Sequence, residues 1–202
     1  MSKTFSHIDI LGKKIRLLPI RPADAEAAYR LMKDEAVLVN LAGDGPTSEE
    51  ELADTYRRRE EEMKTGGSCY LAIELADQPG IIGGMGIHFR FNPQQADLGY
   101  WLGEQYWNKG YMTEAIRLAC HLAFEYCGTV RVYATVFTGN TGSRRALEKN
   151  GFSLDGTMRS HVYKQGSWLD CWFFSLLRTE WKVKRDRFKP NREEVVIATE
   201  KE

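Results

Sequence analysis

The stretch that most constrains the fold is residues 68–102, where apolar runs alternate with tight turns. "SCYLAIEL" and "IIGGMGIHF" flank "DQPG", and "ADLGYWL" follows "FNPQQ". Short runs of this kind bounded by Pro, Gly, Asn and Asp read as strands joined by turns, so the segment predicts an antiparallel meander. Gly83, Gly84 and Gly86 inside the second run predict a bulge or a close backbone approach.

The meander runs into a helix with an unusual start, "YWNKGYMTEA", Tyr106 to Ala115. A helix N-terminus offers unpaired N–H groups and about half a positive charge. A glycine just before it lets several N–H groups converge with no Cβ in the way. Asn108, Lys109, Gly110, Tyr111, Met112 and Thr113 fit an anion cradle, with the Lys109 ammonium beside it. Neither GxxxxGK[ST] nor GxGxxG occurs, which excludes a nucleotide P-loop and a dinucleotide fingerprint. The helix runs from about Tyr111 to Tyr126. Met112, Ile116, Ala119, Ala123 and Tyr126 form its apolar stripe, and Glu114, Arg117, His121 and Glu125 its polar one.

Elsewhere, residues 14–20 read as a strand and 22–33 as a helix opened by Pro22. A loop with Gly43, Gly45 and Pro46 follows. Ser48 and Glu51 have capping-box spacing for a charged helix to about Lys64, with Thr47 as the other candidate cap. Val130, Val132, Ala134 and Val136 lie on one face of a strand. Asn140 or Thr141 then caps a short helix that stops at Gly151. Runs at 153–163 and 169–177 close a domain spanning residues 1–181, leaving 182–202 as a charged tail with no catalytic role. Helices stand between strands without a doubly wound repeat, so the class is a mixed α/β sheet with helices on both faces. Strands 98–102 and 130–137 each enter a helix at the same end of the sheet. If they are splayed neighbours, a groove opens between them, and a long ligand can lie there with its phosphates on the first helix start.

Lys plus Arg equals Asp plus Glu, 28 each, which argues against coating nucleic acid or an anionic membrane. Cys69, Cys120, Cys127 and Cys171 show no CxxC and read as buried thiols, not as disulfides or metal ligands. The start "MSKTFSHIDI" holds no apolar signal core, and the expectation is a cytoplasmic protein without a metal.

The blocks "ADLGYWL", "YWNKGYMTEAIRLA", "NTGSRRALEKNGF" and "WLDCWFFSLLRTEW", in this order, resemble the GNAT-type N-acetyltransferases, RimJ/RimL branch, from about residue 14 to 181. The resemblance implies a mostly antiparallel sheet of about seven strands whose fourth and fifth splay apart. It implies acetyl-CoA as co-substrate, and direct transfer in a ternary complex to an amine of a peptide N-terminus or a small molecule. The diphosphate would sit on the N–H groups of Asn108 to Thr113. Trp107 and Met112 depart from the family's Arg/Gln-x-x-Gly-x-Gly/Ala pattern.

The resemblance further implies that the pantetheine arm pairs with the backbone of Tyr100, Trp101 and Leu102, and that Asn140 bonds it. Many relatives carry an acidic tyrosine where this chain has Leu147; Ser143, one turn earlier, is then the group facing the thiol. Asp97 is the candidate base, and His88 the other group on the acceptor side. Asp170 falls where the branch often has an acid near the amine. Tyr29, Tyr163, Trp168 and Trp172 either line an acceptor pocket or pack in the core. The loop 38–47, with Asn40 and Asp44, would help shape the acceptor site. A homodimer stays open. The competing functions are a CoA sensor without catalysis, favoured by Leu147 and the short Asp97, and a nucleotide-binding regulator using the same cradle.

Overall fold

The structure is a computed structural model that describes residues 3–89, 94–184 and 189–199. The chain enters through β1 (Lys3–Leu11) and β2 (Ile15–Pro19). Pro22 opens a 3-10 turn that leads into α1 (Ala25–Met32). A four-residue helix, α2 (Glu35–Leu38), stands where the sequence had no element. Asp34 makes it, its carboxylate accepting the Ala36 N–H at 2.9 Å. Ser48 caps α3 (Glu49–Thr65), its hydroxyl accepting the Glu51 N–H at 3.1 Å. Glu51 reaches back to the Thr47 N–H at 2.8 Å and to the Thr47 hydroxyl, which holds its carboxyl below the usual glutamate range.

The meander forms as expected from β3 (Ser68–Leu75), β4 (Ile81–His88) and β5 (Gln95–Leu102), paired antiparallel. The close approach expected of the β4 glycines is present, and a bulge falls beside them, at Ile82. The register slips between Ile73 and Glu74. A Cβ on Gly83 would lie 2.5 Å from the Trp101 carbonyl, and one on Gly86 would lie 2.7 Å from His88 Nε2. One on Gly84 would collide with the Trp101 indole. Side chains of the neighbouring strand and of β4 itself thus lie across the glycines.

After β5 come α4 (Tyr111–His121), continued by a π-helical turn at Leu122–Tyr126, then β6 (Arg131–Phe137) and α5 (Thr141–Lys149). The hairpin β7 (Ser153–Lys164) and β8 (Ser167–Leu177), a short α6 (Arg178–Lys184) and β9 (Arg192–Thr199) complete the chain. Among the described residues, one sheet holds nine strands in the order β7-β8-β6-β5-β4-β3-β2-β1-β9. It is mixed and mostly antiparallel, with β5 and β6 its parallel neighbours.

The two strands beyond the expected seven are β1 and β9. Residues expected as part of a charged tail pair with β1 from Lys3↔Thr199 to Leu11↔Arg192. Asp9, buried, fastens this edge. It accepts from Arg16 at 2.7 and 2.5 Å and from Arg192 at 3.2 Å. The bond to Arg16 holds the Asp9 carboxyl below the usual aspartate range.

The main core lies between the sheet and α4. Leu71, Ile73, Met85, Ile87, Leu98 and Val132 of the strands pack there against Ile116, Ala119 and Phe124. The opposite face holds a smaller cluster under α1 and α3, with Ala28, Leu52, Tyr56 and Ala72. All four cysteines are buried and free, as expected. The polar stripe of α4 does not face solvent throughout. Glu114 and His121 are buried, because other parts of the chain supply partners for them. Among the described residues, no helix is long and apolar enough to cross a membrane.

Candidate active site

The start of α4 is the first component. Asn108 has φ 60° and Gly110 φ 81°, both left-handed. Asn tolerates this region and Gly enters it without cost. No side chain caps α4, and its first helical bond runs from Glu114 N–H to the Gly110 carbonyl at 3.1 Å. The earlier N–H groups of Tyr111, Met112 and Thr113 therefore have no acceptor within the helix. The side chains of this loop turn elsewhere. The Trp107 indole donates to the Leu102 carbonyl at 2.8 Å, bracing the cradle on the end of β5. Lys109 lies over the Tyr106 ring at 5.9 Å, and Tyr111 and Met112 pack on the core. What the loop presents is backbone.

The second component is the divergence of β5 and β6. They pair only at Gln95↔Arg131, Ala96↔Val132 and Asp97↔Tyr133. Beyond that point β5 continues to Leu102 and β6 to Phe137 without pairing. The backbone edge of Tyr100, Trp101 and Leu102 that faces β6 thus has no strand partner. α4 starts beyond one arm and α5 beyond the other.

Across this opening the Tyr100 hydroxyl and Ser143 Oγ are 2.6 Å apart. Burial pushes the Tyr100 phenol far above its usual value, against the smaller opposing effect of the Ser143 bond, so it stays protonated. The sequence reading used only the backbone of Tyr100 and missed its side chain. The period of two along β5 was the available signal, since it sends Tyr100 to the same face as Leu98 and Leu102. Asn140 is the cap of α5, its Oδ1 accepting the Ser143 N–H at 2.9 Å. Only its amide N–H groups are left to donate to a ligand. Asn150, at the other end of α5, donates to the Thr113 carbonyl at 2.9 Å and locks this helix to the first turn of α4.

The third component lies on the opposite face of the sheet. His88 and Asp97 are cross-strand partners on β4 and β5, so the two candidate acid–base groups come together at the closed end of the splay. Ser68, opposite His88 on β3, places its Oγ 3.2 Å from His88 Nδ1. The Tyr70 ring meets the imidazole edge-on at 5.2 Å. Ser68 was missed because only strand register, absent from any local motif, brings it there.

The remaining acceptor-side candidates are dispersed. Asp170 Oδ1 accepts the Ser160 N–H at 2.8 Å, where Ser160 has φ 48° in the bulge of β7. One of its oxygens therefore holds backbone. Asn40 closes α2, donating to the Ala36 carbonyl at 2.9 Å. Tyr29 donates to the Thr47 carbonyl at 3.3 Å. Lys164, also missed, is buried and donates to the Leu38 and Leu41 carbonyls, each at 2.6 Å, tying the loop 38–47 to β7. Burial pushes its ammonium below the usual lysine value, although nearby Asp44 opposes this. Tyr163 and Trp168 are exposed and meet at a tilt, centroids 5.2 Å apart, at the tip of the hairpin, so neither is core. Trp172 is partly buried, with the Arg144 guanidinium 5.0 Å above it.

Known proteins resemble this chain in sequence and in fold. The uncharacterized N-acetyltransferase YoaA of Bacillus subtilis (strain 168) is 32% identical over 107 residues, 52% of this chain and 60% of that protein. The match thus spans less than two thirds of that relative. A second B. subtilis protein, described as "Probable N-acetyltransferase YjcK", is 29% identical over 175 residues, 84% of this chain and 97% of its own. Mycobacterium smegmatis RimJ, solved in complex with CoA-disulfide, has the same fold, with a TM-score of 0.76 at 19% identity over 92% of this chain and 98% of that one. Fold and kinship place the chain among proteins of the N-acetyltransferase class. The chain belongs to the GNAT acetyltransferase family, whose "Acetyltransferase (GNAT) domain" matches residues 14–153.

Proposed function

We propose that this protein moves the acetyl group of acetyl-CoA directly onto a primary amine, and that it does so as a RimJ/RimL-like enzyme of the cytoplasm. The observation that carries the reading is the uncapped start of α4 at the mouth of the β5–β6 divergence, facing a serine held by Tyr100. Bound acetyl-CoA supplies an activated thioester. The N–H groups from Asn108 to Thr113 would hold its diphosphate, the β6-facing edge of Tyr100 to Leu102, whose Leu102 carbonyl also accepts the Trp107 indole, would pair with the pantetheine, and the Asn140 amide would donate further along.

Transfer forms a C–N bond and breaks the C–S bond. Asp97, with His88 beside it, takes the proton the attacking amine loses. Ser143 donates a hydrogen bond to the departing sulfur, while Tyr100 donates to Ser143 and fixes its direction. Leu147 leaves the tyrosine position of many relatives without an acid, so Ser143, one turn earlier on α5, serves the thiol, with Tyr100 supporting it from the β5 arm of the splay. Asp170 meets the amine from the acceptor side. The acceptor is a peptide N-terminus or a small-molecule amine.

Ser143→Ala is expected to lower turnover by about 10- to 100-fold, the cost of one lost charge-assisted hydrogen bond, with a much smaller change in acetyl-CoA affinity. Unchanged turnover would remove Ser143 from the chemistry. Asp97→Asn should abolish the acidic limb of the pH–rate profile; if His88→Gln does so instead, the imidazole is the base. The sensor reading keeps its two supports, Leu147 and the short Asp97. A thiol-release assay over a library of amines and N-terminal peptides decides it, because tight acetyl-CoA binding without amine-dependent thiol release fits a sensor alone. Stabilisation by ATP with none by acetyl-CoA would favour the nucleotide reading.

A further inference from the structure

We propose that Lys14 is a cation of the diphosphate site, carried to the start of α4 by the turn between β1 and β2. This rests on the donor-site reading above and adds a residue from outside the cradle. Lys14 Nζ donates to the Lys109 carbonyl at 2.9 Å, and it lies 3.6 Å from where a Cβ on Gly110 would stand. An ammonium has three N–H donors and the carbonyl takes one. The contact also masks the negative end of the Lys109 carbonyl, which lies in the loop proposed to hold an anion.

The position is built, not incidental. Glu114, in the first turn of α4, is buried and accepts the N–H groups of Lys13 at 2.7 Å and Lys14 at 2.9 Å. An acid at this end of a helix normally answers the helix dipole. Here both its oxygens staple the β1–β2 turn to the helix start. Gly12 leaves room for the staple, since a Cβ there would lie 2.7 Å from Glu114 Oε1. From the other side Asn191, just before β9, donates to the Gly12 carbonyl at 2.9 Å, and its own N–H bonds the Leu11 carbonyl at 2.7 Å. The N-terminal turn, the start of α4 and the C-terminal strand thus converge on the segment bearing Lys14.

The chain also has use for such a cation. The Trp107 indole, which carries no charge, is turned to Leu102. Lys109 is turned to Tyr106. Among these three side chains, Lys14 is the one aimed at Gly110.

Calorimetry with CoA on Lys14→Gln, Lys14→Arg and Lys109→Gln, with pantetheine as a ligand lacking the diphosphate, tests this. Lys14→Gln is expected to weaken CoA by about tenfold, the loss of one charge contact to phosphate, and to flatten the dependence of affinity on salt. Lys14→Arg should recover most of the affinity, and Lys109→Gln should cost less than Lys14→Gln. Pantetheine affinity should not change in any of them. The Lys14 side chain is exposed, and the staple uses its backbone, so the variants should fold; a melting curve checks this. CoA binding by Lys14→Gln equal to wild type, or an equal loss for CoA and pantetheine, overturns the assignment while leaving the donor site in place. Wild-type protein that binds no CoA overturns the donor site and this inference together.

Discussion

Two helices begin at the mouth of the same opening, and they begin differently. α5 is closed by Asn140, whose side chain accepts the Ser143 N–H at 2.9 Å. α4 starts on left-handed Gly110, with no side chain across its donors. α3, far from the opening, is closed by Ser48 and Glu51 together. Capping satisfies groups that would otherwise cost free energy, so its absence at one helix alone among these is informative. On the proposed reading, the donors of α4 are left for a ligand. At α5 the cap also fixes the backbone of Ser143, as the role proposed for its hydroxyl would require.

The largest effect should come from closing the open start. Gly110→Val puts a β-branched side chain at φ 81°, a region where non-glycine residues are strained by about 1–2 kcal/mol. It also pushes into the space beside Lys14 Nζ. Loss of one or two charge-assisted bonds to phosphate is expected to weaken CoA by about 100-fold, measured by calorimetry. Affinity within about twofold of wild type would mean that the diphosphate does not sit here.

The link between the two arms comes next. Tyr100→Phe removes the hydroxyl that meets Ser143 at 2.6 Å and leaves the ring in place. Turnover should fall about tenfold with CoA affinity kept, because Ser143 loses its orienting donor. The pH dependence sharpens this. Burial raises the Tyr100 phenol above its ordinary 10.0, so the proton is retained as pH rises through that value. Wild-type turnover should therefore show no basic limb there that vanishes in Tyr100→Phe. Such a limb would make Tyr100 a titrating acid.

How much of this contrast was legible follows from where each interaction keeps its partners. The cradle, the meander and the α5 cap were readable because Gly110, "DQPG" and Asn140 act on backbone within a few residues of themselves. The buried Glu114 was not. Its acceptors' partners are N–H groups about a hundred residues away, and a backbone donor leaves no mark on a sequence. The same holds for Lys164, which bonds carbonyls of Leu38 and Leu41. β9 was hidden by composition. "REEVVIAT" begins with three charges in a segment rich in them, yet it pairs along nearly all of β1. His88 and Asp97 were named separately and turned out to be neighbours, because strand register was the unknown.

At the closed start, Asn140→Ala should cost about 1 kcal/mol of stability in denaturant unfolding, the usual worth of a cap. It should also weaken CoA by a smaller factor than Gly110→Val does, since the pantetheine loses one side-chain donor while the diphosphate seat is untouched. If the order were reversed, the capped helix would be the main anchor, and the contrast drawn between the two starts would be inverted.

The smallest effect is the one that isolates capping from binding. Ser48→Ala removes the hydroxyl that accepts the Glu51 N–H at 3.1 Å, at a helix start remote from the opening. Glu51 keeps its own bonds to Thr47, so only half of the box is lost, and the cost should sit near the low end for a cap, about 0.5 kcal/mol. CoA affinity should be unaltered. The same chemical change, loss of a side-chain acceptor at a helix start, would then lower stability alone at α3 and both stability and binding at α5. A drop in CoA affinity in Ser48→Ala would mean that caps act on the donor site through the whole fold. The open start of α4 would then have to be explained by global stability, and its exposed donors would no longer be the reason.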